Sequence, residues 1–205
     1  MHKVILIIIS GLIISNDFLE KIPPKDYNGW NPLNKGRVTV SYARHLGINW
    51  GHARAVLPIK MDEVYETLHD LENYKNIFDR ITQSTVLDTE ENIVYIRLDM
   101  PYFLADRDYT VKYIIKENSR KGVLIQFYSV THPGSPNNKG SVTLPRAGGE
   151  WRLKPIKGKG TEITYVWNGE LLGKFPNSQL RTAWEEQGKE VLMWLYKYIK
   201  ANKYE

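Results

Sequence analysis

Gly149-Glu150-Trp151-Arg152-Leu153-Lys154-Pro155 and, after the basic turn Lys157 to Gly160, Thr161-Glu162-Ile163-Thr164-Tyr165-Val166-Trp167-Asn168 carry the decisive pattern. Trp151 and Leu153 alternate with Glu150, Arg152 and Lys154; Ile163, Tyr165 and Trp167 alternate with Glu162, Thr164 and Asn168. Period-two alternation is the signature of a strand with one buried face, and two such strands joined by a short Gly-containing turn make an antiparallel hairpin. The buried face of this hairpin is aromatic.

Working outward, strands are expected over Val38 to Ala43 and Ile48 to Leu57, around the turn His45-Leu46-Gly47. Others follow at Thr82 to Asp88, Ile93 to Met100, Asp108 to Lys116, Val123 to His132 and Ser141 to Leu144, and the opening hairpin spans Gly149 to Pro155 and Thr161 to Glu170. Met61 to Asp70 sets Val64, Leu68 and Leu71 at helical spacing, and Asp70 is placed to cap a second short helix through Tyr74 to Phe78. Pro176 opens a long final helix to about Ala201, with Leu180, Trp184, Val191, Leu195 and Tyr198 along one stripe that Trp194 and Ile199 widen. The fold class is α+β: a curved antiparallel sheet, two short helices after the first strands and a long C-terminal helix.

A curved sheet cannot press flat against one helix, so the space between them is filled by aromatic side chains or by something bound. A ligand pocket of about 300 Å³, left empty, would cost roughly 7 kcal/mol at the slope seen for engineered cavities, against a domain stability of about 5 to 15 kcal/mol. That gap is the candidate site. Trp151, Trp167, Trp184 and Trp194 are the residues expected to face it, with Tyr113, Phe127 and Met193 as further candidates.

The chain has 205 residues, no Cys, and 28 Lys plus Arg against 23 Asp plus Glu, a net charge of +5. One domain is the default at this length. The missing Cys excludes disulfide frameworks, thiolate metal sites and cysteine nucleophiles. The basic residues are scattered rather than massed, which argues against nucleic-acid binding. Val4 to Ile14 is nearly unbroken hydrocarbon after Lys3 and before Ser15, Asn16 and Asp17. That is the shape of an export signal, and it is shorter than the roughly 20 residues a spanning helix needs. The expected organisation is a signal peptide over residues 1–15, a leader over 16–35 pinned by Trp30, and one domain over 36–203, in an exported monomer.

Three segments carry a family resemblance. Pro58-Ile59-Lys60-Met61-Asp62-Glu63-Val64 through Asp70-Leu71-Glu72-Asn73-Tyr74 resembles the entry to the START-like helix-grip superfamily. Met100-Pro101-Tyr102-Phe103-Leu104-Ala105-Asp106-Arg107-Asp108-Tyr109 resembles the Pro-containing segment of START lipid-binding domains that ends in Asp-Arg-Asp and an aromatic. Gly149 to Pro155 with Gly160 to Tyr165, and the helix start at Pro176, complete the match over about residues 36 to 201. The resemblance implies a sheet gripping the last helix around a hydrophobic tunnel that takes lipids, sterols or other apolar molecules. Cyclase-like enzymes share the superfamily, so the fold leaves carrier and enzyme both open.

Polar motifs are few. Asp106, Arg107 and Asp108 read either as a charge relay in which Arg107 orients a polar ligand end or as a triplet that ties a loop to the neighbouring strand through an ion pair. The cyclase or dehydratase alternative would draw its acid or base from Asp99, Asp106, Tyr113 or His132. His45, His52, His69 and His132 lack metal-ligand spacing, and no metal or cofactor is expected. The Gly134 to Ser141 loop lacks the order of a phosphate-binding loop. Lys157-Gly158-Lys159-Gly160 has the composition of a solvated hairpin tip, and it also suits transient contact with an anionic membrane surface.

Overall fold

The computed structural model describes residues 18–100, 104–137 and 139–202. The proposed signal stretch Val4 to Ile14 lies outside the described residues. In chain order the elements are β1 (Asn31–Pro32), β2 (Thr39–His45), β3 (Ile48–Leu57), α1 (Met61–His69), α2 (Tyr74–Ile77), β4 (Ile81–Asp88), β5 (Ile93–Leu98), β6 (Asp106–Ser119), β7 (Gly122–Ser129), β8 (Ser141–Thr143), β9 (Gly148–Ile156), β10 (Gly160–Asn168) and α3 (Leu180–Ala201). The strands form one sheet in the order β1-β2-β3-β10-β9-β7-β6-β5-β4.

The expected α+β helix-grip plan holds, with local corrections. β8 runs parallel to β6, Asp106 opposite Ser141, where an antiparallel partner was expected. The reason is chemical: the carboxylate of Asp108 accepts hydrogen bonds from the hydroxyls of Ser141 and Thr143 (2.7 Å for Thr143), and these fix the direction of the short strand. Asp70 makes no side-chain cap; a 3₁₀ turn over Leu71–Asn73 links the two short helices instead. Pro176 precedes a second 3₁₀ turn, Asn177–Gln179, and the long helix begins at Leu180.

Trp184, Gly188, Leu192, Leu195 and Ile199 form the buried line of α3, while Val191, Trp194 and Tyr198 flank it, half-buried. Gly188 is the point of closest approach: a methyl group there would stand 2.9 Å from Val40 and 3.1 Å from Ala53. The helix is thus seated on β2 and β3, and the sheet curves away from its other flank. α1 and α2 pack against the helix as well, burying Val64, Leu68, Tyr74 and Ile77 in the same core.

The convex face of the sheet is not left to solvent, as the alternation of β9 and β10 implied. Residues 18–32 lie across it, and Leu19, Ile22, Ile48, Trp50, Tyr128 and Val166 form a second buried cluster edged by Phe18 and Trp30. Glu150, expected in water, is 3% exposed. It is paired with Arg152 and accepts from the side-chain amide of Gln126 at 3.0 Å, and Arg152 in turn donates to the carbonyl of Pro23 at 2.8 Å. A buried carboxylate is tolerated because each element of this network satisfies another.

Candidate functional site

Between the free flank of α3 and the concave side of β4 to β10 lies a cavity of about 260 Å³. Its floor is made by strand residues whose spacing of two keeps them on one face: Tyr109 and Tyr113 of β6, Phe127 of β7, Trp151 of β9 and Tyr165 of β10. Tyr74 and Phe78 close one side, and Leu171 and Phe175, in the segment after β10, cover another.

The floor rings lie nearly parallel. Tyr113 stacks on Phe127 (centroids 5.3 Å apart, 27° between planes), Phe127 on Tyr165 (6.2 Å, 16°), and Trp151 on Tyr165 (4.2 Å, 23°). Trp167 continues the row beyond the cavity, 4.9 Å from Tyr165 at 13°. Antiparallel register produces this alignment, since Tyr113 faces Phe127 and Trp151 faces Tyr165 directly across their strand pairs.

Charge is confined to the rim. Exposed Asp99 and Glu186 and half-buried Arg80 line the entrance. Arg80 donates twice to Glu190, at 2.7 Å and 3.0 Å, and this bidentate pair raises the guanidinium pKa further. In the interior, burial pushes the phenols of Tyr74, Tyr109, Tyr113 and Tyr165 upward. All four are neutral at physiological pH, so none is poised as a base.

Of the eight residues expected at the site, Trp151, Trp194, Tyr113 and Phe127 line the cavity. Four stand elsewhere. Trp167 lies in the core with its six-membered ring over the bare backbone of Gly51. Trp184 is buried on the seated side of α3, its indole N–H donating to the Gly169 carbonyl at 2.7 Å. Met193 packs half-buried against the core. Arg107, 1% exposed, holds the segment after β10: it donates to the carbonyls of Leu171 and Leu172, both at 2.9 Å, and to that of Ala105.

The acidic neighbours of Arg107 are engaged with others, Asp106 in an ion pair with Arg97 (2.7 Å) and Asp108 with the β8 hydroxyls. The triplet therefore ties loops to strands, Asp106 through an ion pair to the neighbouring strand as expected, and Arg107 and Asp108 through carbonyls and hydroxyls. Tyr109 and Tyr165 were legible by period two from Tyr113 and Trp167. Thr182, Glu186 and Gln187 were not, because polar residues on a helix read as its solvent face.

The four candidate acids and bases do not converge. Asp99 is at the rim, Asp106 is paired, and the Tyr113 phenol, its ring edge-on to that of Tyr74, is pushed well up by burial. His132 accepts from the Gly134 N–H at 3.1 Å and is not among the cavity residues. Among the described residues no cluster of three or more His, Asp or Glu side chains is arranged to hold a metal ion.

Comparison with known proteins agrees with this architecture. A family model, START domain, matches residues 44–193. A sequence relative, an uncharacterized protein of Pseudomonas aeruginosa, is 33% identical over 84 residues, which cover 40% of this chain and 41% of the relative. Human StAR-related lipid transfer protein 5 superposes with a TM-score of 0.76 at 15% identity over 87% of this chain and 90% of that one. The STAR-related lipid transfer protein of Xanthomonas axonopodis gives 0.73 at 20% identity over 84% and 99%. The Zhui aromatase/cyclase of a Streptomyces species gives 0.51 at 16% identity over 74% and 93%. With the family model spanning most of the sequence and the sheet closed around α3 as described, the chain belongs to the START domain family.

Proposed function

We propose that the protein binds a hydrophobic small molecule, a lipid in the broad sense, in the cavity between the sheet and α3 and shields it from water without making or breaking a bond. The observation that carries this reading is an interior walled by aromatic rings and closed by Leu171 and Phe175, with charge only at its rim. The driving force is apolar area withdrawn from water, about 25 cal/mol per Å². Loosening of the segment 169–177 admits the ligand. The lipid-transfer names of two neighbours support the ligand class.

Thermal denaturation against a panel of apolar compounds tests it. A ligand present at one hundred times its Kd raises stability by about 2.7 kcal/mol, and it should be recovered unchanged. A panel that leaves the melting temperature unmoved contradicts the reading.

The cyclase neighbour and the carboxylates of Asp99 and Glu186 at the cavity favour a second reading, an enzyme acting on a polyketide-like substrate. Turnover of such a substrate that disappears in Asp99→Asn, with binding retained, would replace the carrier by the enzyme. Two further parts of the proposal concern place. Export is tested by the N-terminus of the mature protein. Contact with an anionic membrane surface, through exposed Lys157 and Lys159, is tested by vesicle binding and its loss in the double Ala variant.

A further inference from the structure

Resting on the anionic-surface part of that reading, we infer that the protein docks on an anionic phospholipid bilayer by the end of the sheet farthest from the cavity mouth. A docked molecule then holds its mouth away from the membrane that carries it. The docking face is built from three tips that the sheet order makes neighbours: the junction of β3 with α1, the turn between β9 and β10, and the turn between β6 and β7.

Lys60 stands on the first, Lys157 and Lys159 on the second, Arg120 and Lys121 on the third, all exposed. An open groove of about 690 Å³ runs between them, lined by Lys60, Arg120 and Lys159 together. Among the described residues Arg120, Lys121, Lys157 and Lys159 make no ion pair or side-chain hydrogen bond. Arg54, Arg97, Arg146 and Arg152, by contrast, are each paired with a carboxylate. Asp62 and Glu117 are the exposed carboxylates of these tips, and exposed Lys116 and Lys154 behind them keep the excess positive.

The tips are fixed against one another. A methyl group at Gly160 would collide with the Leu57 carbonyl oxygen, and the Thr161 hydroxyl donates to the Ile59 carbonyl at 2.8 Å, so the β9–β10 turn is stitched to the β3–α1 junction. At Gly122 a methyl group would stand 3.0 Å from the Leu153 carbonyl oxygen, which seats the β6–β7 turn against β9. Like charges held together repel, and an anionic surface relieves that repulsion without ordering any backbone.

Two features select a bilayer. Exposed Pro58, Val56 and Ile115 and half-buried Met61 and Ile156 lie beside the cations, and a membrane interface takes apolar side chains and cations together. No Phe, Tyr or Trp occurs in residues 56–64, 114–123 or 154–161, so the base stacking that single-stranded nucleic acid depends on has no platform there.

The mouth is at the other end of the same strands. β10 opens at Gly160 on the docking face and closes at Asn168, beyond which Leu171 and Phe175 cover the cavity. β6 begins at Asp106, where β5 ends and the rim residue Asp99 follows, and finishes at Ser119 beside the cationic turn. The nine residues of β10 put roughly 25 Å between the two ends, about three Debye lengths at physiological ionic strength. A docked molecule therefore exchanges its ligand with water or with a second surface, and the membrane beneath it serves as a tether.

The test is co-sedimentation of the full chain with phosphatidylcholine vesicles and with mixed phosphatidylcholine and phosphatidylglycerol vesicles, with melting curves to confirm that each variant folds. The expected result is binding about tenfold or more tighter to the mixed vesicles, falling about twentyfold in the double variant Arg120→Gln, Lys121→Gln, which leaves Lys157 and Lys159 in place. A control of the same net charge, Lys25→Gln with Arg44→Gln, should lose less than about twofold. Because the chain has no Cys, bimane attached at Asn118→Cys or at Ser178→Cys reports one place at a time. Vesicles carrying a nitroxide lipid should quench the first, beside the cationic turn, and spare the second, beside the mouth.

Quenching at Ser178→Cys, or equal losses in the two double variants, overturns the inference and leaves membrane contact of another geometry standing. Binding no tighter to the mixed vesicles than to phosphatidylcholine overturns the inference and the anionic-surface reading together. A short DNA duplex that strips the protein from the vesicles at equal phosphate concentration overturns the choice of partner.

Discussion

His52 shows how much one side chain can report. It lies on β3 beneath the Trp30 ring (4.7 Å), with Nδ1 3.1 Å from the Ser41 hydroxyl and the cations of Arg152 and Arg54 nearby. Burial first, then those two arginines, lower its pKa from 6.5 to about 4. The unfolded chain therefore binds the extra proton between those values, so stability from this group is complete above pH 6.5 and is lost as pH falls toward 4. The loss is at most about 3 kcal/mol, before screening by the solvent that still reaches the ring. Chemical denaturation at pH 7 and pH 4.5 should show the fall, and His52→Gln should remove most of it; an unchanged difference would contradict the assignment. Nothing in the sequence marked His52 apart from the other histidines, because its environment is made by residues 18–32 folding back over the sheet. Tyr165 is the opposite case: its inward face was legible from alternation alone, and only its stacking with Phe127 and Trp151 needed coordinates.

Among the elements, α3 and the segment before it have separate duties. Gly188 lets the helix settle on Val40 and Ala53, and this contact sets the gap on the other flank. Gly188→Leu should lift the helix and cost about 1 to 3 kcal/mol by overpacking, measured by urea denaturation; a neutral or stabilising outcome would place the helix elsewhere. The segment after β10 is held by Arg107, whose planar fork reaches the carbonyls of Leu171 and Leu172 together. Arg107→Lys should keep one of these bonds and release bound ligand severalfold faster in a stopped-flow displacement experiment. Release at the wild-type rate would remove Arg107 from control of the entrance. The long helix and every strand but the two-residue β1 were legible in the sequence, from period and turn residues. The parallel set of β8 was not, because it depends on a carboxylate 33 residues earlier in the chain.

The whole molecule is a sheet used on both faces. Its concave side carries the cavity, and its convex side is covered by residues 18–32, which hold Trp50, Tyr128 and Val166 away from water. A chain beginning at residue 33 should lose roughly 3 kcal/mol, the burial of Leu19, Ile22 and Phe18 less the entropy of ordering them, and should bind a hydrophobic dye. Ligand binding at low temperature should survive, since no residue of 18–32 lines the cavity. Unchanged melting would mean that this covering is not structural. The overall plan was readable because alternation, turns and the helical stripe agree with one another, as they do in sequences that fold to one state. The double use of the sheet was not, since the polar residues of its outer face carry the same pattern whether they meet water or a paired network.

Native mass spectrometry of the purified full chain, followed by organic extraction and identification of what is released, bears most directly on the central claim. The expected spectrum contains a complex heavier than the bare chain by one small apolar molecule, which leaves on activation and reappears intact in the extract. A spectrum of bare chain alone, unaltered after incubation with apolar extracts, would mean that the space under α3 is not a binding site.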